Sequence, residues 1–130
     1  MDRFFTEAKI ENMESVLDFV NGKIKGFPPK IQNQIAIAVD EVFSNIARYA
    51  YQETGGVKIS VDVSNDITVE FEDNGAAFDP LAADGPDITL PAEERAPGGL
   101  GIFLVKKLMD SAEYRREGDK NILTIKKKCL

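Results

Sequence analysis

The apolar positions of this chain fall first at helical spacing and then at alternating spacing. Ile10, Met13, Val16, Leu17 and Val20 recur on one helix face, which predicts a first helix that stops around "NGKIKGFPP". Pro28-Pro29 opens a second, longer pattern, since proline is tolerated in a first turn. Its buried stripe is Ile31, Ile35, Ala38, Val42, Ile46 and Tyr49, ending before "ETGG". The period then changes. "VKISVDV" places Val57, Ile59, Val61 and Val63 on one face, "SND" turns the chain, and "ITVEFED" follows with Ile67, Val69 and Phe71. This reads as two antiparallel strands with one face buried. Residues 79 to 98 are loop-like and contain Pro80, Pro86, Pro91 and Pro97; loops of that length usually serve as lids or linkers. A third helix is predicted from about Leu100 to Met109. "AEYRREG" and "NILTIKK" close the chain as a hairpin around Gly118 to Asn121, and an edge strand over Arg3 to Lys9 is weakly signalled.

Helix, helix, strand, strand, long loop, helix, strand, strand is the order of a two-layer α/β sandwich, with helices on one face of a mostly antiparallel sheet. At 130 residues the expectation is one domain over residues 1–130. The longest purely apolar run is Ile35 to Val39, too short to span a membrane. The opening "MDRFFTEAKIENME" is charged throughout, unlike a secretory signal, and together with a single cysteine, Cys129, this leads to an expected cytoplasmic setting. Sixteen basic against twenty-two acidic residues give a net charge of -6, so no direct nucleic-acid partner is expected. The chain has no histidine, which excludes His-based triads and most zinc sites.

Three stretches carry candidate chemistry. In "VDEVFSNIARYAY", Glu41 and Asn45 stand one turn apart at the edge of the apolar stripe. A carboxylate and a carboxamide so placed suit a general base and an oxygen ligand for a hard cation, although such a pair is more often a solvated helix edge. "DNGAAFDP" follows a strand with the strongest hairpin signal, Asn74-Gly75, yet no return strand follows. Asp73 at a strand end can accept a hydrogen bond from an exocyclic amine, and Gly75 lets the backbone approach a flat ring. Phe78 suits either an apolar contact to that ring or the core. In "PGGLGIFLVKKLMD", Gly98, Gly99 and Gly101 precede and open a helix, where backbone amides favour anions. Neither a Walker loop nor a Rossmann pattern fits.

In this order, E-x-x-x-N on a helix, D-x-G-x-x-F-D-P after a strand, a lid and G-x-G at a helix start, the chain resembles the GHKL (Bergerat-fold) ATPase superfamily. "AVDEVFSNIARYAY", "DNGAAFDP" and "GGLGIFLVKKLMD" are most similar to the bacterial anti-sigma factor serine kinases of partner-switching systems, from about Met13 to Lys127. The resemblance implies a Bergerat ATP-binding fold and the cofactors ATP/ADP and Mg2+. It implies Glu41 as general base, Asn45 as magnesium ligand, Asp73 as acceptor for the adenine amine with Gly75 beside the ring, and Gly98, Gly99 and Gly101 at the phosphates. Thr124 is similar to a family threonine near the adenine, and also reads as an ordinary strand residue. The implied activity is transfer of the ATP γ-phosphoryl group to a serine of a STAS-domain anti-anti-sigma protein. A sigma factor is a possible further partner, and a homodimer a possible assembly. The alternative is a non-catalytic, nucleotide-dependent module that sequesters a sigma factor or another regulator. Two departures stand out: Tyr49 where many relatives carry histidine, and Pro97 where a basic residue often precedes the glycines, leaving Arg95 or Lys106 to supply positive charge.

Overall fold

A computed structural model of the chain describes residues 2–49, 55–77, 79–82 and 99–129. In chain order its elements are β1 (Asp2–Glu7), a 3-10 turn (Ile10–Asn12), α1 (Met13–Lys23), α2 (Pro29–Tyr49), β2 (Gly56–Val63), β3 (Asp66–Asp73), a second 3-10 turn (Pro80–Ala82), α3 (Gly99–Leu108), β4 (Ser111–Glu117) and β5 (Lys120–Lys128). The weakly signalled edge strand is therefore present as β1. The five strands form one antiparallel sheet in the order β1-β2-β3-β5-β4.

Register follows from which residues must be buried. Ile59 pairs with Phe71 and Val61 with Val69; Phe71 pairs in turn with Leu123, and Val69 with Ile125. All six are buried on the face that meets the helices. A one-residue slip would turn this whole set toward solvent. Val16 and Val20 of α1 and Ile24 directly after it are fully buried; from α2, Ile35, Ala38, Val39 and Phe43 are. Burying each larger side chain contributes roughly 1.5–3 kcal/mol, several times the propensity differences among these residues, so packing rather than intrinsic preference holds the helices. Gln32 fixes the link between α1 and α2, its Nε2 donating to Phe27 O at 2.6 Å and to Lys25 O at 3.2 Å. The other sheet face is polar and carries a Lys58–Glu72 ion pair at 3.2 Å. Among the described residues no helix is long and apolar enough to cross a membrane.

At its Asp73 end the helix-facing side of the sheet changes character. Continuing the buried register one pair beyond Phe71–Leu123 brings Asp73 opposite Asn121. Both are buried polar residues where the pattern otherwise places aliphatic ones.

Candidate nucleotide site

A cavity open to solvent lies between α2 and this end of the sheet. Its apolar walls are Val42 and Ile46 of α2, Pro80, Tyr114 and Leu123; its polar groups are Asn45, Asp73 and Asn121. Apolar walls with a few convergent polar groups suit a flat heteroaromatic ring.

The hairpin signal at Asn74-Gly75 has a different use here. The Asp73 carboxylate reaches forward, and its Oδ1 accepts the Gly75 N–H at 2.8 Å, closing an Asx turn that leads the chain off the sheet. Oδ1 also accepts from Asn121 Nδ2 at 3.0 Å, while Oδ2 takes no hydrogen bond from any described residue. The Asp73 carboxylate is thus tethered on one oxygen and retains acceptor capacity on the other. Asp79 Oδ1 then accepts from Leu81 N at 2.9 Å and starts the 3-10 turn that sets Pro80 into the cavity wall.

Glu41 and Asn45 divide between two neighbouring places. Asn45 lines the cavity, whereas Glu41, half-buried, lies against the first turn of α3. The contact is so close that a Cβ on Gly101 would collide with the Glu41 carboxylate oxygen and stand 3.0 Å from its Cδ. Any side chain at position 101 would therefore displace the Glu41 carboxylate from its place against α3. Glu41 makes no hydrogen bond or ion pair to any described residue.

Asn45 and Asp73 thus share one cavity, Gly75 is tied to Asp73, and Gly99 and Gly101 open the helix that abuts Glu41. Phe78 and Gly98 lie outside the described residues, as do Arg95, Pro97 and most of the expected lid over 79–98. Thr124 is the exception: it pairs with Glu70 and Glu113, and strand alternation puts it on the polar face, opposite the cavity. The expectation that it stands near the ring is corrected accordingly. Asn121, three residues earlier, lines the cavity instead. Tyr114 also lines the cavity, and neither residue belongs to any of the three sequence motifs. A signal was available, since carrying the Leu123, Ile125 alternation back by two residues puts Asn121 on the buried face. Lys106 donates its Nζ to Leu81 O at 2.9 Å, tying α3 to the 3-10 turn. The single cysteine offers no rival chemistry: burial pushes the Cys129 thiol up, the opposite of an activated thiolate.

Comparison with known proteins agrees with this fold. Residues 6–127 match a family described as the histidine kinase-like ATPase domain. The serine/threonine-protein kinase BtrW of Bordetella bronchiseptica is 26% identical over 99 residues, covering 74% of this chain and 70% of that protein. The serine-protein kinase RsbW of Listeria monocytogenes is 33% identical over 107 residues, covering 76% of this chain and 68% of that protein. Among solved structures, the histidine kinase domain from the Erythrobacter litoralis EL346 blue-light activated histidine kinase has the same fold, with a TM-score of 0.60 at 18% identity. That match takes in 92% of this chain and 60% of the other.

Proposed function

The chain belongs to the histidine kinase-like ATPase family, and from that premise we propose that it is an ATP-dependent serine kinase of the anti-sigma type. It transfers the γ-phosphoryl group of ATP to a serine of a small STAS-domain anti-anti-sigma protein. The observation that carries this reading is the convergence of the motifs: Asn45 and Asp73 in one cavity, with Glu41 of the same helix against Gly101.

Each residue has a task set by its chemistry. Asp73 accepts a hydrogen bond from the exocyclic amine of adenine, with Gly75 beside the ring and Val42, Ile46 and Leu123 as apolar walls. Backbone amides at Gly99 and Gly101, at the start of α3, face the phosphates with the positive end of the helix dipole. Phe78 and Gly98 belong to the same proposal. Glu41 accepts the proton of the incoming serine hydroxyl; the serine oxygen bonds to the γ-phosphorus as the bond from that phosphorus to the β–γ bridging oxygen breaks, and ADP leaves. Such catalysis is mostly positioning and electrostatics.

The residues present fit a magnesium ion that arrives with the nucleotide. Among the described residues there is no group of three acidic, cysteine or histidine side chains able to hold an ion alone, and Mg2+ is commonly held by one or two protein oxygens together with substrate phosphates. The Asn45 side-chain oxygen is the protein ligand in this reading. When bound, the ion supplies charge neutralisation at the phosphates.

A sigma factor as second partner, a homodimer as the assembled state and the cytoplasm as the location belong to the same proposal. Incubation with labelled ATP and candidate STAS-domain proteins tests it. Label on a serine, lost in Glu41→Ala, is the expected result. Tight ATP-dependent binding of a partner with no label would instead make the protein a sequestering module.

A further inference from the structure

A polar cluster between β4 and β5 adjoins Asp73, with Tyr114 and Asn121 in the cavity wall and Arg116 outside it. At its centre the Asn121 carboxamide is engaged at both ends. Its Nδ2 donates to Asp73 Oδ1 at 3.0 Å and to Ala76 O at 2.9 Å. Its Oδ1 accepts from the Tyr114 hydroxyl at 2.5 Å and from Arg116 Nη1 at 3.1 Å. Turning the amide over would set its oxygen against a carboxylate and a carbonyl, both acceptors. The two flanking groups differ in how much they resist that turn. A tyrosine hydroxyl both donates and accepts, so it tolerates either orientation; a guanidinium only donates, so it tolerates one.

Arg116 is itself braced. Its Nε donates to Gly118 O at 3.1 Å and its Nη1 also to Gly75 O at 2.9 Å, so one side chain spans from the β4–β5 turn to the loop leaving β3. Gly118, at φ 59, has the left-handed conformation that shapes this turn. Arg116 is not among the residues that line the cavity, so whatever it does to a bound base it does through Asn121 and the Gly75 carbonyl.

We infer that Arg116 is a positioning residue for purine discrimination. By fixing the orientation of Asn121 it keeps Asp73 Oδ1 occupied by donors and Oδ2 turned to the cavity as an acceptor. An acceptor there favours a purine with an amine at position 6 over one with an oxo group, whose oxygen would face the carboxylate. This inference rests on the nucleotide-binding reading above and adds to it the residue that holds the base-reading carboxylate in place.

The test is calorimetric binding of ATP, GTP and purine riboside triphosphate, which has neither substituent at position 6, to the full chain. Arg116→Met keeps the aliphatic stem and removes the donors. The expected result is a fall of about tenfold in the ATP-over-GTP preference, the scale of one charge-assisted hydrogen bond, with the unsubstituted analogue bound nearly as before. Arg116→Lys, still a pure donor, retains most of the preference. Arg116→Gln, whose amide accommodates either orientation of Asn121, loses it, and stands in if Arg116→Met does not fold. Equal weakening of all three nucleotides would reduce Arg116 to a brace and overturn the inference, as would an unchanged preference in Arg116→Gln. A wild-type protein that binds ATP and GTP equally would sink this inference alone; one that binds none of the three would sink the nucleotide-binding reading with it.

Discussion

The two ends of the candidate site are built on opposite plans. At the base end, Asp73 is tethered through Gly75 N and Asn121, and Asn121 through Tyr114 and Arg116, so side chains from β4 and β5 hold one carboxylate of β3. At the transfer end, Glu41 has no hydrogen-bonding or ionic partner among the described residues and is placed by packing alone, against a glycine. The contrast matches two different demands. A group that reads a base must be in its final orientation before the ligand arrives, because any reorganisation subtracts from affinity. In the proposed reading Glu41 takes a proton from a second protein, and its catalytic hydrogen bond forms only once that protein docks.

The strongest way to break the comparison is to remove each key carboxylate in turn. Glu41→Ala is expected to lower transfer to a serine acceptor by roughly a hundred- to ten-thousandfold, the usual range for general-base loss. ATP affinity in the same variant stays within about threefold, since no tether at the base end is touched. Undiminished labelling of the partner would take the base role away from Glu41. Asp73→Ala acts at the other end and should weaken ATP binding by about ten- to a hundredfold, because it deletes an acceptor to the ligand and frees both Gly75 and Asn121. Titration calorimetry giving wild-type affinity would detach Asp73 from the base.

The same contrast explains what could be read from the sequence. Helices and strands were legible because their apolar positions keep one period long enough to assign it: Ile35, Ala38, Val42 and Ile46 of the expected stripe are all buried, as are Val57, Ile59 and Val61. Val63, the last of that strand's run, is 40% exposed, since alternation near a strand end no longer guarantees cover. Glu41, Asn45, Asp73 and Gly75 were legible because each sits in a short motif. Asn121 was not, because "GDKN" has turn composition; the turn is confined to Gly118 and Asp119, and Asn121 already belongs to β5. Tyr114 and Arg116 became meaningful only with the β4–β5 register, which pairs Tyr114 with Leu123 and Arg116 with Asn121. A network assembled across strands forms no short motif, and strand alternation alone separates Asn121 on the cavity face from Thr124 on the opposite one.

Gly101→Ala sharpens the comparison at the transfer end. The new methyl meets the end of the flexible Glu41 side chain rather than backbone, so the carboxylate moves and the helix does not. Alanine also favours helix by up to about 1 kcal/mol over glycine, which offsets the crowding, so thermal stability should change by no more than about 1 kcal/mol. Transfer should nevertheless fall by about tenfold with ATP affinity nearly intact, since displacing a catalytic group by an ångström is costly to rate. A variant as active as wild type would show that the placement of Glu41 against α3 is incidental.

The smallest effect is expected from Lys106→Met. Lys106 is exposed, and its ammonium donates to Leu81 O at 2.9 Å, joining α3 to the 3-10 turn across the segment between them. If that is its whole role, losing the bond costs about 0.5–1 kcal/mol of stability, seen as a small drop in the melting temperature. ATP affinity then stays within about threefold of wild type, because an ammonium already committed to a carbonyl must give up that bond before it can approach a phosphate. Calorimetry showing a tenfold or larger loss, diminishing as salt is raised, would mean that the lysine leaves Leu81 for the nucleotide. The transfer end would then contain a group that changes partners on binding, and its contrast with the pre-tethered base end would be sharper still.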